Sequence, residues 1–197
     1  MNLVQWLRPM AVRALLVMAP RTAVVMTGAG AATDYTSRYI DLSGDLPVAE
    51  ARHYPRRDLS EINGLVIHHS ATKGRTIRSM AEYHIEVKGW PGLAYHYAIG
   101  WDGVVYHCQD DRNASYHTQG HNRHNVGVVL VGDYEAKEPS EAMIRSLGML
   151  IEDLRGKYRM DHAWMHRETK ATLCPGSRAV PHVQPLLFGP RPHRRTK

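Results

Sequence analysis

Cysteine is scarce in this sequence, and long apolar runs are absent. The 197 residues include only two cysteines, Cys108 and Cys174, which can form at most one bridge. A small domain held together by disulfides is therefore excluded, while a metal-binding or catalytic cysteine stays open. No stretch approaches the roughly 18 to 20 apolar residues that a membrane-spanning helix requires, so we expect no stable membrane insertion.

Acidic residues are missing from the last 20 positions, which explains most of the net charge of +6. Residues 178–197 contribute +5, residues 1–57 contribute +3, and residues 58–177 contribute −2. The basic charge lies at the two ends, so the central segment offers no large cationic face for nucleic acid. We expect no nucleic-acid partner. The basic ends suit contact with any polyanion, and a role in solubility alone is equally open.

Residues 1–57 are interpreted as an extension and linker in front of one domain. Within residues 8–31, a basic start, an apolar stretch and an Ala-x-Ala pattern resemble a secretory signal, but Arg21 interrupts the apolar part. A cleaved signal and an ordinary extension both stay open. The domain is expected at residues 58–178, followed by a basic, proline-rich and irregular tail at residues 179–197.

Alternating strand and helix patterns predict an α/β domain, with a mixed central β-sheet flanked by helices. Two apolar runs flank Trp101-Asp102-Gly103, which is a hairpin turn signal. Apolar residues at helical spacing predict two helices, the second after the N-cap Ser140. In chain order we predict a strand at 65–67, a helix at 76–87, strands at 94–99, 104–108 and 126–131, a helix to about 157, and a strand at 163–165.

Thirteen histidines are many for this length and suggest metal or acid–base chemistry. His68 and His69 end the first predicted strand, a common place for site residues in α/β folds. Because adjacent strand residues point to opposite faces, the two cannot easily reach one centre together. For this pair taken alone, two histidines bonded to the backbone are the simpler interpretation.

A second candidate segment runs from His166 to Gly176, where His166 and Cys174 lie eight positions apart. Imidazole and thiolate are both zinc ligands, and three protein ligands would leave one position for water, as in catalytic zinc sites. A free, buried Cys174 and a Cys108–Cys174 disulfide are the alternatives.

Other side chains could complete such a site. Strand alternation predicts Tyr95 and Tyr97 on one face and His96 on the other. A tyrosine near a metal-bound water can stabilise an oxyanion or guide a proton, although a packed strand aromatic is the simpler interpretation. The polar loop His117–Asn122 could line a substrate groove, or its histidines could merely be solvated.

Taken together, the motifs occur in a recognisable order across about residues 58–178. They are Val66-Ile67-His68-His69-Ser70-Ala71-Thr72, Gly89-Trp90, Tyr95-His96-Tyr97, Asp102–Tyr106, His117–Asn122, Asn125–Gly132 and His166–Gly176. This order resembles the zinc-dependent N-acetylmuramoyl-L-alanine amidases of the type-2 amidase family. The family includes phage lysozyme-type amidases and peptidoglycan recognition proteins.

The resemblance implies a Zn²⁺ ion held by His68, His166 and Cys174, with His69 outside the ligand set. This agrees with the alternation of side chains along the strand. Cys174 would be a thiolate, because metal binding deprotonates it.

The resemblance also implies that Tyr95 assists catalysis. Some phage-type members have a lysine two positions before the cysteine, where this chain has Thr172, so Thr172 and Lys170 both stay open as the second catalytic residue. The candidate substrate-binding residues are His69, Trp90, His117 and Asn122.

The implied reaction is hydrolysis of the amide between N-acetylmuramic acid and the L-alanine of the peptidoglycan stem peptide. We expect the protein to be a monomer. Three alternatives are a peptidoglycan-binding module that does not cleave, a metal-free hydrolase with Cys174 as nucleophile, and a nucleic-acid binder that uses the basic ends. Both a bacterial envelope or secreted enzyme and a phage endolysin made in the host cytoplasm fit the sequence.

Overall fold

The computed structural model describes residues 39–190. The predicted signal-like segment 8–31 and the last seven residues lie outside this part. The elements are β1 Tyr39–Asp41, β2 Gly64–His69, α1 Ile77–Glu86, β3 Tyr97–Ile99, β4 Val105–His107, β5 Asn125–Leu130, α2 Glu141–Tyr158, β6 His162–Met165, α3 His166–Thr169 and α4 Val180–Val183. None of the helices in residues 39–190 is long and apolar enough to cross a membrane.

The six strands form one mixed sheet in the order β1-β4-β3-β5-β2-β6. β3 and β4 are antiparallel and flank the predicted turn, whereas every other neighbouring pair is parallel. The mixed α/β architecture predicted from the sequence is confirmed. Because β2, β3, β5 and β6 are parallel, their carboxyl ends meet at one edge, where site residues collect in α/β folds.

A hydrophobic core lies on each face of the sheet. α2 covers one face with Met143, Leu147, Leu150 and Leu154, which recur at helical spacing and are buried. α1 covers the other face. β2 and β5 are buried along their whole length, so they appear in the sequence as apolar runs.

Both long helices begin at caps that the sequence encodes. The Thr76 hydroxyl accepts the Ser79 N–H at 3.1 Å, and the Ser140 hydroxyl accepts the Met143 N–H at 3.1 Å. Such caps satisfy backbone donors that have no partner inside the helix. Both helix predictions are confirmed, with ends within one residue of those expected.

The segment interpreted as a linker carries structure in its described part. β1 pairs with β4 at the edge of the sheet, and the side chain of Arg57 is buried. Three residues of strand are too few for an alternating pattern to show in the sequence.

The tail predicted to be irregular from Val180 onward is instead helical at its start, so that prediction was wrong. α4 is followed by a 3-10 turn at Gln184–Leu186, and Val183 is buried in the core. Phe188 then forms a β-bridge with Ala163. Elements of one turn are too short for helical periodicity to reveal them.

Candidate metal centre

Three side chains with nitrogen and sulfur ligand atoms converge at the carboxyl edge of the sheet. The ligand atoms of His68, His166 and Cys174 all lie within 4.8 Å of one another. His68 lies near the end of β2, and His166 follows β6 directly. Because these strands are parallel neighbours, the two imidazoles lie side by side with ring centroids 4.5 Å apart.

The spacing within this cluster fits a tetrahedral metal ion. Nδ1 of His68 lies 3.7 Å from Sγ of Cys174. Nitrogen and sulfur atoms bound to one tetrahedral Zn²⁺ at the usual bond lengths would be about 3.6 Å apart. Three protein ligands also match the donor set of a site that keeps a fourth position for water. The residues present therefore fit zinc.

The loop that carries Cys174 is fixed on both sides of the cysteine. The Thr172 hydroxyl accepts the Cys174 N–H at 3.3 Å, and the cysteine sulfur accepts the His69 N–H at 3.4 Å. Gly176 has φ of 104°, and a Cβ there would lie 2.5 Å from the Tyr134 backbone. Only glycine fits this turn, so Gly176 holds the loop against the sheet.

Burial keeps the three groups neutral when no cation is bound. It lowers the pKa of His68 well below its ordinary value, with a further contribution from the charge of His166. Burial and the charge of Lys170 lower the pKa of His166 to about 4, and burial raises the pKa of Cys174 to about 12. Neutral imidazoles offer lone pairs to a metal, and a thiol in such a site ionises only beside a cation.

Tyr95 lies beside the cluster, as predicted, but the alternation argument was wrong. Its ring centroid is 5.2 Å from that of His68, whereas Tyr97 lies in the core on the opposite face. The chain bends at Ala94 and His96 before β3 begins, so strand alternation does not extend back to Tyr95.

The two candidates for a second catalytic residue differ in their surroundings. Lys170 is exposed, and its positive charge contributes to the low pKa of His166. Thr172 is half-buried, and its oxygen already accepts the Cys174 N–H. Lys170 therefore acts on a ligand through its charge, and Thr172 contacts the backbone of a ligand through a hydrogen bond.

Two of the candidate substrate-binding residues are buried in the described structure. His69 points to the opposite face from His68, and its Nδ1 accepts the Tyr134 N–H at 3.2 Å. His117 lies against His68, with 3.2 Å between His117 Nδ1 and His68 Nε2. Neither has the exposed surface expected of a substrate contact.

The other two candidates are partly exposed. The ring of Trp90 lies 4.9 Å from that of His84, which flanks Tyr95. Asn122 instead organises its own loop, since its Oδ1 accepts the Thr118 N–H at 2.7 Å. An open cleft lies next to the cluster, and it is lined by Ser70, Thr72, Arg75, Met80, Tyr83, His84 and Tyr95.

The two cysteines are both free, so the disulfide alternative was wrong. Cys108 is buried in the core beneath α1, away from the ligand cluster. Sequence reasoning missed Arg57, whose buried guanidinium bonds to the backbone of a loop behind His68. Nothing in the sequence distinguishes it from its exposed neighbour Arg56.

Comparisons with known proteins bear on both the sequence and the fold. A family model described as N-acetylmuramoyl-L-alanine amidase matches residues 58–177. The human N-acetylmuramoyl-L-alanine amidase is 35% identical over 128 residues, which cover 60% of this chain and 22% of that protein. The endolysin of Enterobacteria phage K11 is 32% identical over 123 residues, which cover 58% of this chain and 81% of the endolysin.

Two solved structures have the same fold. A peptidoglycan recognition protein LE in complex with tracheal cytotoxin matches with a TM-score of 0.68 and 24% identity, covering 76% of this chain and 94% of that one. Bumblebee PGRP-SA matches with a TM-score of 0.67 and 25% identity, covering 78% and 98%. The chain spans only about a fifth of the length of the human and pig amidases.

Proposed function

Because the chain belongs to the N-acetylmuramoyl-L-alanine amidase family, we propose that it hydrolyses the amide between N-acetylmuramic acid and L-alanine in peptidoglycan, in a zinc-dependent reaction. The family resemblance inferred from the motifs is thus confirmed. The observation that carries the proposal is the three-ligand cluster of His68, His166 and Cys174 beside an open cleft. A protein that only bound peptidoglycan would have no need of a ligand set with an open position.

The cluster supplies the centre of the proposed mechanism. His68, His166 and Cys174 would hold the ion, which when bound supplies a Lewis acid that polarises the scissile carbonyl and lowers the pKa of a water to about 7. The thiolate form of Cys174 offsets part of the ion's charge. The three side chains come from one chain, so we propose that a monomer is active.

The position of Tyr95 beside His68 supports a role for its hydroxyl at the scissile group. Burial and the nearby Cys174 raise the pKa of its hydroxyl, so the proton is present at neutral pH and can be donated to a developing oxyanion. The Thr172 hydroxyl accepts from the Cys174 backbone and keeps its own proton for a second donation. Lys170 adds positive charge near His166, and we assign the second role to one of these two residues.

The first experiment is digestion of purified sacculi with the zinc-loaded protein. We expect new L-alanine amino termini without new reducing sugars, loss of that activity on thorough chelation, and its return when zinc is added. Cys174→Ser should abolish activity and zinc binding together. Cys108→Ala is the matched control, because Cys108 is buried away from the cluster and its replacement should spare both.

Each alternative function has its own outcome. A protein that sediments with sacculi but releases no new ends would be a binding module. Activity that survives chelation but is blocked by thiol alkylation would indicate a cysteine nucleophile. Steeply salt-dependent binding to nucleic acid that is lost on removing residues 178–197 would indicate the polyanion binder.

A further inference from the structure

We propose that His117 is a positioning residue, which holds the His68 imidazole in the orientation and tautomer that metal binding requires. The inference rests on the proposed zinc site and gives a role to a histidine that the sequence suggests as a substrate contact. His117 is only 6% exposed, so too little of its surface is accessible for it to contact a substrate.

The two nitrogens of His68 face different partners. Nδ1 faces the ligand cluster, 3.7 Å from the Cys174 sulfur. Nε2 faces His117, 3.2 Å from its Nδ1, and the two rings are nearly perpendicular at 89°. A metal-binding imidazole commonly donates its other N–H to a protein acceptor, and that bond fixes both tautomer and ring orientation.

The direction of the hydrogen bonds follows from one backbone carbonyl. The Asn125 oxygen lies 3.2 Å from His117 Nε2 and can only accept, so Nε2 carries the proton. In a neutral imidazole the other nitrogen then accepts, so His117 Nδ1 receives the N–H of His68 Nε2. This leaves the His68 Nδ1 lone pair directed at the cluster.

Thr118 supports the same arrangement. Its hydroxyl lies 3.3 Å from His68 Nε2 and 3.0 Å from His117 Nδ1. A hydroxyl both donates and accepts, so its oxygen offers a second acceptor for the His68 Nε2 proton. The Nε2–H of His68 therefore has two acceptors within reach, His117 Nδ1 and the Thr118 hydroxyl.

β5 contains a glycine that this arrangement explains. Gly127 lies in the middle of an apolar strand, where glycine weakens the strand and often marks a close approach. A Cβ at this position would lie 2.6 Å from Cγ of His117 and 2.9 Å from its Nδ1. The absence of a side chain at Gly127 thus makes room for the His117 ring behind His68.

Zinc affinity tests the proposal without relying on catalysis. We expect His117→Leu to weaken zinc binding about 10- to 100-fold, as loss of such outer partners typically does, in competition with a chromophoric chelator. Gly127→Ala should weaken it in the same direction, because the new methyl displaces the ring. His117→Asn places an amide oxygen where Nδ1 lies, so it should restore most of the affinity.

Two further measurements separate positioning from a general structural role. Cobalt(II) in place of zinc should show altered d–d bands in His117→Leu and Gly127→Ala but not in His117→Asn. His162→Leu is the matched control, because His162 is also buried, packs over Gly64 and bonds to Asn125. It should lower the melting temperature while leaving zinc affinity and the cobalt spectrum unchanged.

The failures of the two proposals can be distinguished. A wild-type protein that binds no zinc would overturn the proposed function at its metal site. If wild type binds zinc while His117→Leu and Gly127→Ala keep its affinity and cobalt spectrum, the positioning role is overturned. Equal losses in His162→Leu and His117→Leu would likewise reduce His117 to a packing residue.

Discussion

Tyr95 reaches the candidate metal centre from an irregular stretch just before β3. Its ring lies against His68 on one side and near His84 on the other. The phenol contributes packing through its ring and chemistry through its hydroxyl, and these two contributions can be separated by removing one oxygen atom. Tyr97, two positions later, lies on the opposite face of the sheet, so removing its hydroxyl oxygen is a matched control.

We expect Tyr95→Phe to lower kcat about 100- to 1,000-fold, the usual cost of losing one oxyanion donor. Zinc affinity and melting temperature should stay unchanged, because the ring remains beside His68. In the matched variant Tyr97→Phe, loss of the 3.1 Å hydrogen bond to the Asp111 carboxylate should cost about 2 kcal/mol of stability and spare kcat. Equal kcat values for the two variants would remove Tyr95 from the mechanism.

Single residues differ in how well the sequence predicts them. His68, His166 and Cys174 belong to motifs whose order carries the family resemblance, and the structure brings the ligand atoms of these three residues together. Tyr95 was predicted near them through a motif, although the strand argument for its direction was wrong. Gly127 and Arg57 could not be predicted, because their roles depend on a ring and on carbonyls brought close only by folding.

The loop between β4 and β5, at residues 108–124, carries His117 beside the candidate metal centre, and Arg57 holds this loop in place. The buried guanidinium donates to the carbonyls of Asp111, Asn122, Arg123 and Asn125 at 2.7 to 3.1 Å. It also contacts the buried ring of His96 at 3.0 Å. One side chain therefore satisfies acceptors along the loop that carries His117.

Replacing Arg57 tests this role of the loop. Arg57→Leu should lower the free energy of unfolding by about 3 kcal/mol or more, since several buried carbonyls lose a charged donor. Arg56→Leu is the matched control. Its exposed ion pair with Asp110 should contribute about 1 kcal/mol or less.

Urea unfolding followed by circular dichroism measures both changes. Arg57→Lys, with one ammonium in place of a planar fork, should fall between wild type and Arg57→Leu. If the Arg56 and Arg57 variants had equal midpoints at an unchanged slope, Arg57 would not be the residue that holds the loop.

The long elements and the short strands β3, β4 and β6 were predicted, but several other short elements were not. α2 has an N-cap and an apolar stripe along its length, and β2 and β5 are apolar runs because both of their faces are covered. β1, α4 and the following 3-10 turn each contain only three or four residues. Whether such short elements form depends on their packing against the rest of the sheet, so no local sequence pattern encodes them.

In the described part of the molecule, folding shifts the pKa of seven histidines downward. Burial lowers the pKa of a set that comprises His68, His69, His84, His96, His117, His162 and His166. His107 is the opposite case. Burial alone would lower its pKa, but the carboxylates of Asp111 and Asp41 outweigh that effect and raise it. The two kinds of histidine therefore act on stability in different pH ranges.

The low pKa values of the buried histidines predict that the metal-free protein loses stability in mild acid. Folding lowers the pKa of four of these histidines from about 6.5 to about 4, namely His84, His96, His162 and His166. Between these two pKa values the unfolded chain binds more protons than the folded chain. The free energy of unfolding therefore decreases as the pH is lowered, by about 1.4 kcal/mol per pH unit for each such proton. His107 has the opposite sign, and its contribution is complete below about pH 6.5 and lost only above it.

Two histidine-to-glutamine variants check the assignment by urea unfolding of the chelated protein between pH 4.5 and 6. His162→Gln keeps a donor for Asn125 but no longer titrates, so the dependence of stability on pH should weaken by about one proton. His107→Gln should reduce stability while leaving the dependence in this range unchanged, because His107 is protonated there in both the folded and the unfolded chain. A dependence that does not change in His162→Gln would mean that this histidine is protonated in the folded protein.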